Sequence, residues 1–214
     1  NSHMGAPVEH SAAEITLSEL VAGFVPASIV EKLTSDVLIK GIQLDSRLVI
    51  PGDVFFAVFG RNLDARDFIP TAINSGAVAV LAESGGEWTG INWIGHVPVI
   101  AVDSLQSKMS AIAGRFYSDP SAHAGVIGIT GTNGKTSCAA FMAQVFASLG
   151  HDSATIGTLG YGRPGCLAAT ALTTPDAVFT QRALFELLST GVDPVIMEVS
   201  SVGLDQRRVS GVHL

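Results

Sequence analysis

Lys135 and Thr136 stand at the end of a glycine-rich turn, Gly131-Thr132-Asn133-Gly134, which follows an apolar β-branched run from Val126 to Ile129. Strand, glycine loop, Lys-Thr and helix is the arrangement by which a chain cradles a polyphosphate. Glycines at 131 and 134 let the backbone take positive φ and come close to phosphate oxygens. Successive N–H groups then converge on the anion, helped by the positive end of the helix, an effect of about 0.3–1 kcal/mol. Lys135 reaches the β and γ oxygens, and the Thr136 hydroxyl holds a magnesium ion. The strict spacing wants a glycine at 129, where the chain has Ile129. A plain glycine turn with a surface lysine is the competing reading; the agreement of strand, loop, Lys-Thr and helix weighs against it.

Other polar clusters follow. Glu198 ends an apolar strand, where it reads either as a magnesium partner beside Thr136 or as a strand-end acid capping a helix. Thr173, Thr174, Ser200 and Ser201 are neutral donors suited to sugar or pyrophosphate oxygens, although such residues crowd ordinary turns. Gln206, Arg207 and Arg208 are the clustered basic feature after the loop: an arginine there clamps a carboxylate or phosphate, or the group is a solvated helix face. By spacing alone, Asp45-Ser46-Arg47 reads as a surface turn with an internal ion pair.

These residues need strands and helices to place them. Thr16 and Glu19 fit a capping box for a helix from Leu17 to about Phe24. Residues 29–40 show no clear alternation. Strands are expected at Val54–Val58, Ala77–Leu81 and Val97–Val102, with helices from Pro70 to Asn74 and from Leu105 to Tyr117. The glycine-bearing stretches Gly85–Gly95 and Gly157–Gly165 read as loops. After Ser118-Asp119-Pro120 come a strand (Gly125–Thr130), a helix (Lys135–Leu149), a strand ending at Ile156, a helix (Ala177–Thr190) and a strand (Pro194–Val199). Alternation of strand and helix predicts an α/β fold with parallel sheets, whose ligands bind beyond the carboxyl ends of the strands. The expected boundary between two domains lies near 119–123, giving 5–122 and 123–214.

Asn1–Met4 read as a tag remnant. Nothing after them resembles a signal peptide, and no apolar stretch reaches the ~18 residues of a membrane span. Two cysteines without a C-x-x-C and six scattered histidines offer neither a disulfide framework nor a zinc site, and Cys138 is expected as a small apolar residue of its helix. A reduced, cytoplasmic setting follows. The net charge of −7 argues against nucleic-acid binding, so a phosphate ligand must be held by local groups.

Together the motifs resemble the Mur ligases, the ATP-dependent amino-acid ligases of peptidoglycan precursor synthesis. Gly128 to Thr136 is similar to that family's nucleotide loop, which accounts for Ile129. Leu44-Asp45-Ser46-Arg47 with Pro51 to Ala57 looks like its nucleotide-sugar domain. Thr173-Thr174-Pro175-Asp176, Met197 to Ser201 and Gly203 to Val209 resemble the MurE branch, which adds the third, diamino residue to UDP-N-acetylmuramoyl-L-Ala-D-Glu. The resemblance covers residues 17 to 214. It implies a small α/β nucleotide-sugar domain followed by the first part of a parallel-sheet P-loop ATPase domain, with ATP and Mg2+ as cofactors. It further implies that Leu44 and Ser46 contact the uridine part of the substrate, that Arg61, Asn62 and Leu63 form a second substrate loop there, and that Thr173, Thr174, Ser200, Gln206 and Arg208 hold the muramoyl-peptide. On the same resemblance Gly131, Thr132, Asn133, Gly134, Lys135, Thr136 and Ser137 bind ATP, Lys135 becomes the catalytic cation, and Thr136 with Glu198 the metal positions. A monomer without nucleic-acid or membrane partners is expected. The alternatives are a module that only binds the UDP-sugar-peptide or nucleotide, and the MurF branch. Two departures stand out: Val202 where the family has histidine, and Ala65 where it has glycine. The family's longer ATP domain, with its modified lysine, and its third domain would lie past Leu214, so the chain reads as a fragment, inactive alone, with a half-built second sheet.

Overall fold

The computed structural model describes residues 14–33, 36–60, 63–169 and 175–214. Along the chain these form β1 (Ile15–Thr16), α1 (Leu17–Val21), α2 (Ala27–Val30), β2 (Leu38–Ile39), β3 (Gly41–Gln43) and β4 (Asp53–Ala57). Next come α3 (Ile69–Asn74), β5 (Ala79–Glu83), β6 (Ile91–Ile94), β7 (Val97–Val102) and α4 (Leu105–Phe116). The remainder comprises β8 (Val126–Ile129), α5 (Lys135–Ser148), β9 (Ala154–Gly157), β10 (Gly160–Arg163), β11 (Cys166–Ala168), α6 (Ala177–Ser189), β12 (Val195–Glu198) and α7 (Ser201–Asp205).

Two five-stranded sheets organise the molecule. In the first, β3, β4, β5 and β7 run parallel and β6 closes the edge antiparallel to β7. Every residue of β4 and β7 is buried, as expected of a parallel sheet covered on both faces. Side chains alternate between the two faces: Val54 and Phe56 join α1 and α4 in one core, Phe55 and Ala57 join α3 in another. The second sheet has the order β11-β10-β9-β12-β8, with β8, β12 and β9 parallel. Val195 and Met197 of β12 pack on Leu184 and Leu187 of α6, while Ile196 faces Ala139 and Ala143 of α5. The two halves meet through α4 and α6, and Ala177 and Val178 of α6 belong to the core of the first half.

Local chemistry explains the helix limits. Thr16 and Glu19 form the expected reciprocal cap, yet α1 stops at Val21, because Ala22 is extended and Gly23 takes φ +79°. The Glu83 carboxylate accepts the Leu105 and Gln106 N–H groups at 3.0 Å each and so caps α4. Asp176 caps α6 by accepting the Phe179 N–H at 2.8 Å.

Two expected loops are sheet. β6 lies within Gly85–Gly95, and β10 with β11 forms an antiparallel hairpin within and beyond Gly157–Gly165. Glycine there reflects close strand approach: a Cβ on Gly160 would lie 2.2 Å from the Ala168 carbonyl oxygen, and one on Gly162 2.5 Å from that of Cys166. Cys138 sits on α5 as expected but is exposed, so it does not fill a core position.

Candidate functional site

The glycine loop 131–134 is set in place by the pairing of β8 with β12. Their parallel register sets Glu198 opposite Ile129, at the strand end that leads into the loop. Gly131 and Gly134 have φ +149° and +80°, and Gly134 precedes α5 with no side chain capping the helix N-terminus. Thr132 and Asn133 are exposed. The Lys135 ammonium donates to the Gly131 carbonyl at 2.7 Å, folded back over its own loop. A phosphate oxygen competing for that ammonium offers the stronger, charge-assisted bond.

Glu198 is buried, 3% exposed. Its Oε2 accepts the Thr136 hydroxyl at 2.9 Å and the Thr158 hydroxyl at 3.2 Å; its Oε1 accepts the Thr158 N–H at 3.1 Å. A Cβ on Gly157 would come within 2.1 Å of Oε1, so the bare backbone at 157 is what admits the carboxylate. Glu198 thus lies beside Thr136, as one of its two readings expected. Thr158 and Gly157 were missed by sequence reasoning; a Gly-Thr pair closing a β-branched run was their local signal. Beside this group lies a pocket of about 200 Å³ between α5 and the β10–β11 hairpin. Among the described residues no cluster of three His, Cys, Asp or Glu could hold a metal. A hydroxyl and one carboxylate are hard oxygen donors of the kind magnesium uses when phosphate and water complete its shell.

The other expected residues fall in separate places. Asp45 and Arg47 form the ion pair anticipated from their spacing, with Arg47 Nη2 2.6 Å from Asp45 Oδ2, and this pulls the Asp45 pKa down to about 2. Between them Ser46 is buried, while Leu44 packs partly against the core and lines a cleft of about 230 Å³ with Val178, Phe179 and Arg182 of α6. Leu63 is exposed, its carbonyl bound by the Gly60 N–H. Arg61, Asn62, Thr173 and Thr174 lie outside the described residues.

Ser200 caps α7 by accepting the Gly203 N–H at 3.0 Å. Arg208 donates through Nε and Nη2 to Gln206 Oε1, at 3.0 and 2.5 Å. Gln206, with Asp205 and Arg207, forms one wall of a cleft of about 720 Å³ whose other wall is Phe59, Glu83, Ser104, Gln106 and Ser107. Phe59, Glu83 and Ser104 follow or close the carboxyl ends of β4, β5 and β7, so this cleft opens where parallel sheets receive ligands. The glycine loop 131–134 does not line it. The two departures prove mild: Ala65 has no positive φ that would require glycine, and Val202 is 54% exposed on α7.

Two family models match the chain, overlapping over residues 129–145. The model described as "Mur ligase family, catalytic domain" matches residues 38–145, and "Mur ligase middle domain" matches 129–214. A UDP-N-acetylmuramoyl-L-alanyl-D-glutamate--2,6-diaminopimelate ligase of Coxiella burnetii is 48% identical over 181 residues, 85% of this chain and 37% of that protein. One of Chromobacterium violaceum is 47% identical over 177 residues, 82% and 35%. The chain thus spans little more than a third of these relatives' length. A solved structure of a ligase of that name superposes with a TM-score of 0.73 at 27% identity, covering 92% of this chain and 38% of its own. A UDP-N-acetylmuramoylalanyl-D-glutamyl-2,6-diaminopimelate--D-alanyl-D-alanyl ligase from Acinetobacter baumannii shares the fold, with a TM-score of 0.51 at 20% identity. With one family match alone taking in half of its residues and the other continuing to Leu214, the chain belongs to the Mur ligase family.

Proposed function

We propose that the chain is the nucleotide-sugar and nucleotide-binding part of an ATP-dependent ligase that adds a diamino acid, as in the names of its relatives, to UDP-N-acetylmuramoyl-L-Ala-D-Glu. The observation that carries this reading is the meeting of Thr136 with Glu198 beneath an uncapped glycine loop. Residues 5–122 serve the uridine nucleotide, through Leu44, Ser46, Arg61, Asn62 and Leu63, and 123–214 serve ATP through Gly131 to Ser137. Thr173, Thr174, Ser200, Gln206 and Arg208 hold the muramoyl-peptide. The setting is the cytoplasm, with the enzyme acting as a monomer; no helix among the described residues is long and apolar enough to cross a membrane.

In the reaction the D-glutamyl carboxylate attacks the γ-phosphorus and ADP leaves, giving an acyl phosphate. The amine of the diamino acid then adds to the acyl carbon, and phosphate departs from the tetrahedral intermediate. Lys135 exchanges its bond to the Gly131 carbonyl for phosphoryl oxygens and stabilises the charge they gather in transfer. Loop N–H groups orient the triphosphate. Magnesium, when bound with the triphosphate, would supply further neutralisation of that charge, and the Thr136 hydroxyl and Glu198 carboxylate are the groups placed to hold it. Thr158 and Gly157 fix how that carboxylate lies.

The test is phosphate release by the full-length enzyme. Release is expected only with ATP, magnesium, UDP-N-acetylmuramoyl-dipeptide and a diamino acid together. Turnover with the UDP-linked tripeptide and D-Ala-D-Ala instead would move the protein to the MurF branch.

A further inference from the structure

The two walls of the large cleft come from different halves of the molecule, and a buried polar knot beneath them joins those halves. Ser110 on α4 and Gln181 on α6 are both 0% exposed. The Gln181 Nε2 donates to the Ser110 carbonyl at 3.2 Å and to the Gly211 carbonyl at 2.9 Å. Two carbonyl acceptors fix which end of the amide points there, since its oxygen could not donate. The Gly211 N–H in turn donates to Ser110 Oγ at 3.0 Å. On either side the Ser210 hydroxyl donates to the Ser107 carbonyl and the His213 N–H to the Ser121 hydroxyl. Both contacts run from the 210–213 segment to the first half.

Two glycines make this approach possible. A Cβ on Gly211 would lie 2.6 Å from the Ala111 nitrogen and 2.7 Å from the Ser110 carbonyl carbon, both backbone atoms that cannot turn aside. One on Gly114 would press on Gln181 Nε2 at 3.1 Å. The knot is also costly. Gln181 Oε1 and the neighbouring Thr180 Oγ1 are buried without a hydrogen-bond partner among the described residues. Stability alone would be served as well by apolar packing, since an unpaired buried polar group is a net loss. What the polar knot adds is register: directional bonds allow one placement of 210–213 against α4.

That segment directly follows the turn bearing Gln206, Arg207 and Arg208. We infer that Ser110 and Gln181 are positioning residues, which through Gly211 hold the 206–208 turn opposite Phe59 and Ser104 so that a substrate spanning both halves meets a preformed site. The inference rests on the ligase reading for the identity of that substrate, a uridine nucleotide joined to a muramoyl-peptide. ATP, gripped by a loop within the second half, should be indifferent to the knot.

The experiment uses the full-length enzyme with Ser110→Ala, which deletes one acceptor and little volume, and Gln181→Met, which keeps length and loses both donated bonds. Each is expected to raise KM for UDP-N-acetylmuramoyl-L-Ala-D-Glu about tenfold and to leave KM for ATP within about twofold. The double variant should fall short of the product of the two, because both act through Gly211. Amide exchange over 204–212 should quicken in both variants and stay unchanged over 131–136. Equal movement of both KM values, or lowered thermal stability with neither KM moved, would overturn the inference. So would unchanged exchange over 204–212, a readout that needs no turnover. If the wild-type enzyme ligates nothing to this substrate, the ligase reading fails by itself, and the exchange data still decide whether the knot holds the turn.

Discussion

α4 and α5 are helices of 12 and 14 residues, each lying on a largely parallel sheet, yet they are held very differently. α4 buries seven residues, among them Leu105, Ile112 and Phe116, whereas α5 buries Ala139 and Ala143. Phe141 and Val145 of α5, with Leu149 at its C-terminal cap, form an i, i+4, i+8 stripe that is 58–68% exposed. The first sheet has cores on both faces, and its strands β4 and β7 are buried along their whole length. The helix that follows the glycine loop buries only two alanines against its sheet, with Met142 and Phe146 partly buried beside them. Burial of apolar area sets stability, so the first half holds most of it. The loop of the second half is positioned by sheet register and by the Thr136–Glu198–Thr158 bonds.

Substitutions can break this contrast. Phe56→Ala removes a ring from the centre of the first core and should cost about 3–5 kcal/mol in denaturant unfolding, whereas Phe141→Ala on α5 should change this chain's stability by less than about 0.5 kcal/mol. Equal losses would mean that α5 is as well packed as α4. Lys135→Ala should do the reverse, leaving unfolding unchanged and lowering phosphate release by the full-length enzyme about 10²–10³-fold. Normal turnover would strip the lysine of its role.

Thr158→Val sharpens the picture within the second half. Losing the hydroxyl that orients Glu198 should raise the magnesium concentration needed for half-maximal turnover about tenfold, with Thr158→Ser restoring it. An unchanged magnesium requirement would show that Thr136 and the strand end suffice.

The smallest effect concerns pH in the first half. Burial raises the Asp53 pKa above the usual 3.8, against the hydrogen bonds from the Ile50 N–H and the Gln43 side chain. The folded state therefore binds this proton more tightly than the unfolded one. The stability so gained is full below pH 3.8 and is lost as pH rises through the folded pKa. Asp53→Asn cannot titrate, so its urea midpoint should gain on wild type between pH 3.5 and 7. A constant difference would place the carboxyl in an ordinary environment.

Much of this was legible in local pattern. The capping box at Thr16, the buried runs of β4 and β7, and the strand–loop–helix around Gly131 to Thr136 are arrangements of neighbours along the chain, and such neighbours report on each other directly. The resemblance carried by those motifs held at the level of the family. The strands hidden in Gly85–Gly95 and Gly157–Gly165 were not legible, since glycine signals a turn unless the partner strand that needs its missing side chain is known.

The linear order of residues thus determined that a glycine loop ending in Lys-Thr joins a strand to a helix and that the central strands are of the buried, parallel kind. Tertiary structure decided what surrounds that loop. Glu198 meets Thr136 and Thr158 across 62 and 40 positions of sequence, and Gln181 meets Ser110 across 71. Those meetings depend on the register of β8, β12 and β9 and on the packing of α6 against α4, which arise only when all the apolar faces are buried at once.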